Sequence, residues 1–195
     1  MLDRRTGEGL VFLALFTACI PAVNWIVLNV GTTCVPGGPC LVPVLPPQLN
    51  FEAPGTTMMA TSSVLIVGLA FVFRDLVQRR LGFGWAAGAV VVGAGLSALL
   101  APPQLVIASG IAFLLAEMAD LLVYTPLQRK RLVLAVFASS IVGLIVDSLI
   151  FLQLAFGSLE YLSGQVVGKS WAVLAALPFV IWLRQRDERI GMEPA

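Results

Sequence analysis

The feature that most restricts this chain is an alternation. Long apolar runs are joined by connections that are in turn rich in Lys and Arg and free of them. Arg4 and Arg5 precede the first run, no base occurs in 31–57, and three occur in 74–82. None lies at 102–103, three lie in 129–131, none in 157–164, and three in the tail from Arg184. Eleven of the twelve bases therefore fall on one side of the runs. Membrane chains keep Lys and Arg on the cytoplasmic side, so the pattern predicts six crossings with both termini in the cytoplasm. The twelfth base, Lys169, sits inside a run.

Composition supports the same class. At 58% hydrophobic residues, 12% charged residues and a mean hydropathy of +0.94, the chain has about half the charge of a soluble globule. A crossing helix needs about 20 apolar residues, so 195 residues hold six spans and no second domain. The expected fold is all-α, a single polytopic membrane domain with spans at 9–30, 58–77, 83–101, 104–124, 132–156 and 165–183. The first run is too long for a cleavable signal peptide, whose apolar region is about 7–15 residues. The bases form no stripe, which argues against nucleic acid as a partner. The three cysteines lack metal-ligand spacing and histidine is absent, so neither a metal site nor a cofactor is expected.

Two connections carry further information. The segment from Gly31 to Thr57 is rich in proline and glycine and predicts a structured loop, not a helix. Cys34 and Cys40 lie six positions apart within it and come into bonding range if the loop faces an oxidising compartment. At 74–82, Arg74, Asp75, Arg79 and Arg80 read as a solvated interface closing the second span.

The charged residues inside the runs need partners. Glu117 and Asp120 lie three residues apart in one span, and an Asp at a helix centre costs about 2.5–3.5 kcal/mol on insertion scales. Ser109, Phe113, Glu117, Asp120 and Tyr124 share one helical face. In the next span Asp147 shares a face with Ser140 and Gly143, with Phe151 one turn on. Lys169 enters near the outer end of the last span and can meet Asp147 across the bundle. The groups form the walls of one site, or they only hold helices together; Asp120, near the cytoplasmic end, also fits a group that reaches water.

Those residues carry a resemblance. Ala108-Ser109, Ala112-Phe113-Leu114, Glu117, Asp120 and Val123-Tyr124, then Ser139-Ser140, Gly143, Asp147-Ser148, Ile150-Phe151, Gly164-Gln165, Lys169 and Pro178 resemble the queuosine precursor transporter family. It is also called the vitamin uptake transporter-like family. Asn24 and the turn from Asp75 to Gly82 extend the likeness weakly, with Arg79 and Leu81 departing from its usual acid and Tyr. The resemblance implies a compact six-helix bundle, like the substrate-binding components of energy-coupling-factor importers. It implies uptake of cyano- or aminomethyl-deazaguanine across the bacterial inner membrane.

A guanine-like edge presents two adjacent N–H donors, which Glu117 or Asp147 can accept together. Lys169, Asn24 or Gln165 can donate to the base carbonyl. Ser109 and Ser140 add polar wall, and Phe113, Phe151 or Trp25 can stack on the ring, although Phe113 and Phe151 fit ordinary core equally well. Asp120 and Asp75 are then gating or coupling residues. Expected partners are a purine-like base, the lipid bilayer, and an energy-coupling module or a second copy. Two other importers compete: one for a vitamin or other small solute on the same scaffold, and the substrate-binding subunit of an ATP-driven system. An enzyme is not expected, because no nucleophile stands beside a base.

Overall fold

The computed structural model describes residues 3–34, 38–101 and 105–193. Six helices follow the predicted order: α1 (Arg4–Asn29), α2 (Val64–Leu81), α3 (Phe83–Leu100), α4 (Val106–Leu127), α5 (Leu132–Phe156) and α6 (Leu162–Ile190). Five of them are long and apolar enough to cross a membrane. Large apolar side chains cover their outer faces, among them Val91, Leu99, Ile107, Leu122 and Trp182, as lipid contact requires and water would not favour. The exception is α2, which carries Arg74, Asp75, Arg79 and Arg80 within 18 residues.

That helix changes the reading of its charges. The expected solvated interface is a buried one: α2 runs on to Leu81, and Arg74, Asp75, Gln78, Arg79 and Arg80 are all buried. The physical reason is its position, for α2 touches each of the other five helices. Carboxylates on α1, α4 and α6 meet its guanidinium groups, which lets the charges stay inside the bundle. Gly82 then turns the chain directly into α3 at φ 93°, a conformation that glycine adopts without the Cβ strain of other residues.

The connection after α1 also differs from expectation. It contains three antiparallel strands, β1 (Thr33–Cys34), β2 (Cys40–Leu45) and β3 (Met58–Thr61), in the order β1-β2-β3. The second span therefore starts at Val64 rather than Met58, because Met58–Thr61 pairs along β2 instead of continuing the helix. Short apolar runs do not distinguish a strand from the end of a buried helix. Pro43 has no N–H for the central strand, and the ladder is irregular between Pro43 and Leu45. Cys34 and Cys40 are cross-strand partners joined by a disulfide. Pro36 and Gly37 of this loop, Pro102 and Pro103, and Gln104, where the fourth span was expected to begin, lie outside the described residues.

The sheet seals one end of the bundle. Ser62 Oγ donates to the Ile26 carbonyl of α1 at 3.0 Å, and Gln165 Nε2 of α6 donates to Thr61 Oγ1 at 2.9 Å. Gly164 passes so close to the Met59 carbonyl that a Cβ there would collide with its oxygen. At the opposite, basic end, Asp187 of α6 accepts from Arg79 at 3.0 Å and from Arg80 at 2.8 Å. Glu8 of α1 accepts from Arg80 at 3.0 Å and from Arg186 at 2.6 Å. One end of the molecule is thus built by backbone pairing and the other by ion pairs.

Candidate functional site

Beneath the sheet lies a cavity of about 90 Å³, counted as the space open to the centres of water molecules. Every helix contributes to its wall, which includes Asn24 from α1, Phe71 from α2, Ser97 from α3, Glu117 from α4, Asp147 from α5 and Lys169 from α6. Helical spacing explains the convergence: Ser109, Phe113 and Glu117 recur every fourth residue along α4, as do Asp147 and Phe151 on α5 and Gln165 and Lys169 on α6. Thr61 and Ser63 close the sheet side.

The lysine is held inside the wall. Lys169 Nζ donates to Asp147 Oδ2 at 2.6 Å and to Ser148 Oγ at 2.8 Å, and Ser148 Oγ in turn donates to the Leu144 carbonyl at 2.6 Å. This pair neutralises two charges that would each be costly alone. Asn24 Nδ2 donates to the Ile20 carbonyl at 2.9 Å, so one of its two amide N–H groups is taken by its own helix. Phe113 serves both as wall and as core, with its ring 6.0 Å from that of Phe16, centroid to centroid.

Glu117 forms the floor. Its Oε2 accepts from Arg74 Nε at 2.9 Å, and the same guanidinium reaches two further carboxylates. Arg74 Nη1 stands 2.9 Å from Asp75 Oδ1, and Nη2 contacts Asp120 Oδ1. Ser139 Oγ donates to Asp75 Oδ2 at 3.1 Å. All four ionic side chains are essentially without solvent exposure. The cluster lies directly behind the cavity, and Glu117 belongs to both.

Of the residues expected at one site, Asn24, Ser109, Phe113, Glu117, Asp147, Phe151, Gln165 and Lys169 line this cavity. Trp25 does not. It is 61% exposed on the outside of α1, since one residue is a 100° step around a helix and Asn24 takes the inward position. Ser140 is buried outside the cavity wall, while Asp120 and Asp75 are in the Arg74 cluster. Arg74 itself was assigned to the interface. The signal that could have found it is the pair of acids in α4, which together demand a buried cation. Cys19, Thr61, Ser63, Phe71 and Ser97 also line the wall; nothing in the spacing of one sequence separates them from ordinary packing.

The family described as "Putative vitamin uptake transporter" matches residues 97–183. That stretch runs from Ser97 at the end of α3 to Leu183 in α6 and holds seven of the eight gathered residues, Asn24 being the exception. No curated protein and no solved structure matches the chain. The family similarity, with five helices able to cross a membrane, supports a membrane protein for uptake of a vitamin or other small solute.

Proposed function

We propose that the chain imports a guanine-like base, cyano- or aminomethyl-deazaguanine, across a bacterial inner membrane, with α2 crossing as a sixth span within the other five. By the distribution of Lys and Arg the basic end faces the cytoplasm. The disulfide-bearing sheet then faces outward, in keeping with an oxidising side.

One observation carries this reading: carboxylates, amides, an ammonium and three phenyl rings from five helices line a single small cavity. Glu117, clamped by Arg74, presents a fixed acceptor edge for two adjacent N–H groups of the base. Lys169 supplies a donor to the carbonyl of the base, while Asp147 and Ser148 hold its position. Phe113 or Phe151 takes the flat face. In such a wall the polar groups orient the solute, and the apolar groups of Val67, Ile20 and Val27 exclude water from it.

The test is uptake of labelled cyano-deazaguanine by cells that cannot make it. Glu117→Gln should abolish uptake while leaving the amount of protein in the membrane unchanged; full uptake by this variant would overturn the assignment. In parallel, the purified chain should be thermally stabilised by deazaguanines and not by vitamins. Stabilisation by a vitamin alone would favour the competing importer.

A further inference from the structure

We propose that the Arg74 cluster is a proton-binding site and that protons bound there drive movement of the solute. The coupling half of this proposal rests on the transport reading above; the proton site does not.

Charge is the first argument. Arg74 is one cation against Asp75, Glu117 and Asp120, all buried. With every carboxyl ionised, two negative charges remain in excess inside the bundle, and each uncompensated buried ion costs several kcal/mol, on the order of what unfolds a helix pair. Among the described residues the groups facing the cluster supply no second cation: α1 adds Cys19 on the Glu117 side, α2 adds Gln78, α4 adds Tyr124 and α5 adds Ser139. The next charges, Lys169 on Asp147 and Arg79 on Asp187, are already paired. Geometry gives the same answer, because Asp75 Oδ1, 2.9 Å from Arg74 Nη1, and Asp120 Oδ1, in contact with Nη2, crowd one guanidinium, and a proton on one of the two carboxyls relieves their repulsion.

A second, independent feature leads away from the cluster. Asp120 and Tyr124 on α4 and Gln128, which caps its end, recur every fourth residue, and all are buried. Tyr124 Oη, Gln128 Oε1 and, on α2, Gln78 Oε1 have no hydrogen-bond partner among the described residues. Gln78 Nε2 donates to Thr125 Oγ1 at 3.0 Å beside them. Such atoms are normally paired, so their recurrence from the carboxyls towards the basic end leaves sites for water there, and the proposed proton leaves along them. The site does not suit a metal cation. Among the described residues no three Asp, Glu or Cys side chains are grouped to hold one, and the guanidinium occupies the centre. Packing is tight as well: a Cβ at Gly143 would lie 3.1 Å from Asp120 Cβ and 2.7 Å from the Phe71 ring.

The coupling runs through Glu117. When a base donates to Glu117, that carboxylate stays ionised, and the proton accompanying the solute is held by Asp75 and Asp120. On release an O–H bond of that pair breaks, and the proton passes by way of the Tyr124 hydroxyl and water bound at the free Gln128 and Gln78 oxygens to the basic end. One proton taken from water outside is returned to water inside with each solute.

Two measurements on the purified full chain separate the claims. At neutral pH the infrared spectrum should show the carbonyl stretch of a protonated carboxyl, shifted in deuterated buffer and reduced in both Asp120→Asn and Asp75→Asn. Absence of that band in the wild type overturns the proton site whatever the solute is. In proteoliposomes an acid-outside gradient should raise uptake of labelled cyano-deazaguanine several-fold, and Asp120→Asn should keep solute exchange but lose that stimulation. Exchange indifferent to the pH gradient, or driven by a sodium gradient, overturns the coupling. A band without any exchange of the base upholds the proton site and overturns the substrate.

Discussion

Arg74 Nε donates to Glu117 Oε2 at 2.9 Å, and this bond is where the cavity and the buried charge cluster meet. It joins the charged helix α2 to α4, and it fixes the orientation of the carboxylate that lines the cavity. The same guanidinium holds Asp75 and Asp120, so it is the counterion for three acids. Arg74→Ala should therefore be among the most destabilising substitutions in the chain, costing about 3–5 kcal/mol by leaving buried charge unpaired. Thermal unfolding in detergent measures it. Arg74→Lys should recover only part of the loss, since an ammonium cannot reproduce the planar fork.

A contrast between two aromatic residues tests the phase of the helices. Phe113 lines the cavity, whereas Trp25 points outward from the bundle. Phe113→Leu keeps an apolar filler but removes the ring face, and should weaken binding of a flat base by about 0.5–1.5 kcal/mol, the usual worth of an aromatic contact beyond burial. Trp25→Leu should leave binding unchanged. Titration of each purified variant with cyano-deazaguanine decides the matter, and equal losses in both would contradict the placement of Trp25.

The difference between what could and could not be read in the residues follows from the signals themselves. The six helices and their order were legible because run length is a coarse quantity that survives uncertainty of a few residues. The Lys169–Asp147 pair was legible because both positions could be measured from span ends. Arg74 was not, since an Arg at the end of an apolar run ordinarily reaches the interface along its own side chain. What keeps it inside is the wall of neighbouring helices, and a single sequence does not display that wall. The β3 strand was hidden for another reason: Met58–Thr61 is as apolar as a helix start. Trp25 failed through phase, because α1 is apolar on nearly every face and its hydropathy carries no direction.

The pair at the opposite wall has a separable signature. Lys169 and Asp147 are 2.6 Å apart, and each is the other's charge partner. Lys169→Met and Asp147→Asn should each weaken solute binding, while the double variant should lose less than the two losses added together. A coupling energy of about 0.5–3 kcal/mol is expected for groups in direct contact. Additive losses in the double-mutant cycle would show that the two residues act on the solute independently.

Cysteine accessibility tests which end of the molecule faces outward. The chain has three cysteines; Cys34 and Cys40 are joined, and Cys19 is buried and free. Protein whose free thiols are blocked before extraction, then denatured and treated with a large maleimide, should add one label without reductant and three after reduction, because the bonded pair escapes the block. In that count Cys19 must be exposed to the maleimide, so the blocking reagent is used on intact membranes, where burial shields it. A count that does not rise on reduction would show that Cys34 and Cys40 were free to the block, place the sheet on the reducing side and reverse the orientation drawn from the bases. Opening the bridge by Cys34→Ser should in addition cost about 2 kcal/mol by the loop-entropy relation, because so short a loop constrains the unfolded chain only modestly. The loss should appear first at the sheet, and from there at Thr61 and Gln165, whose hydrogen bond at 2.9 Å ties that sheet to the cavity wall.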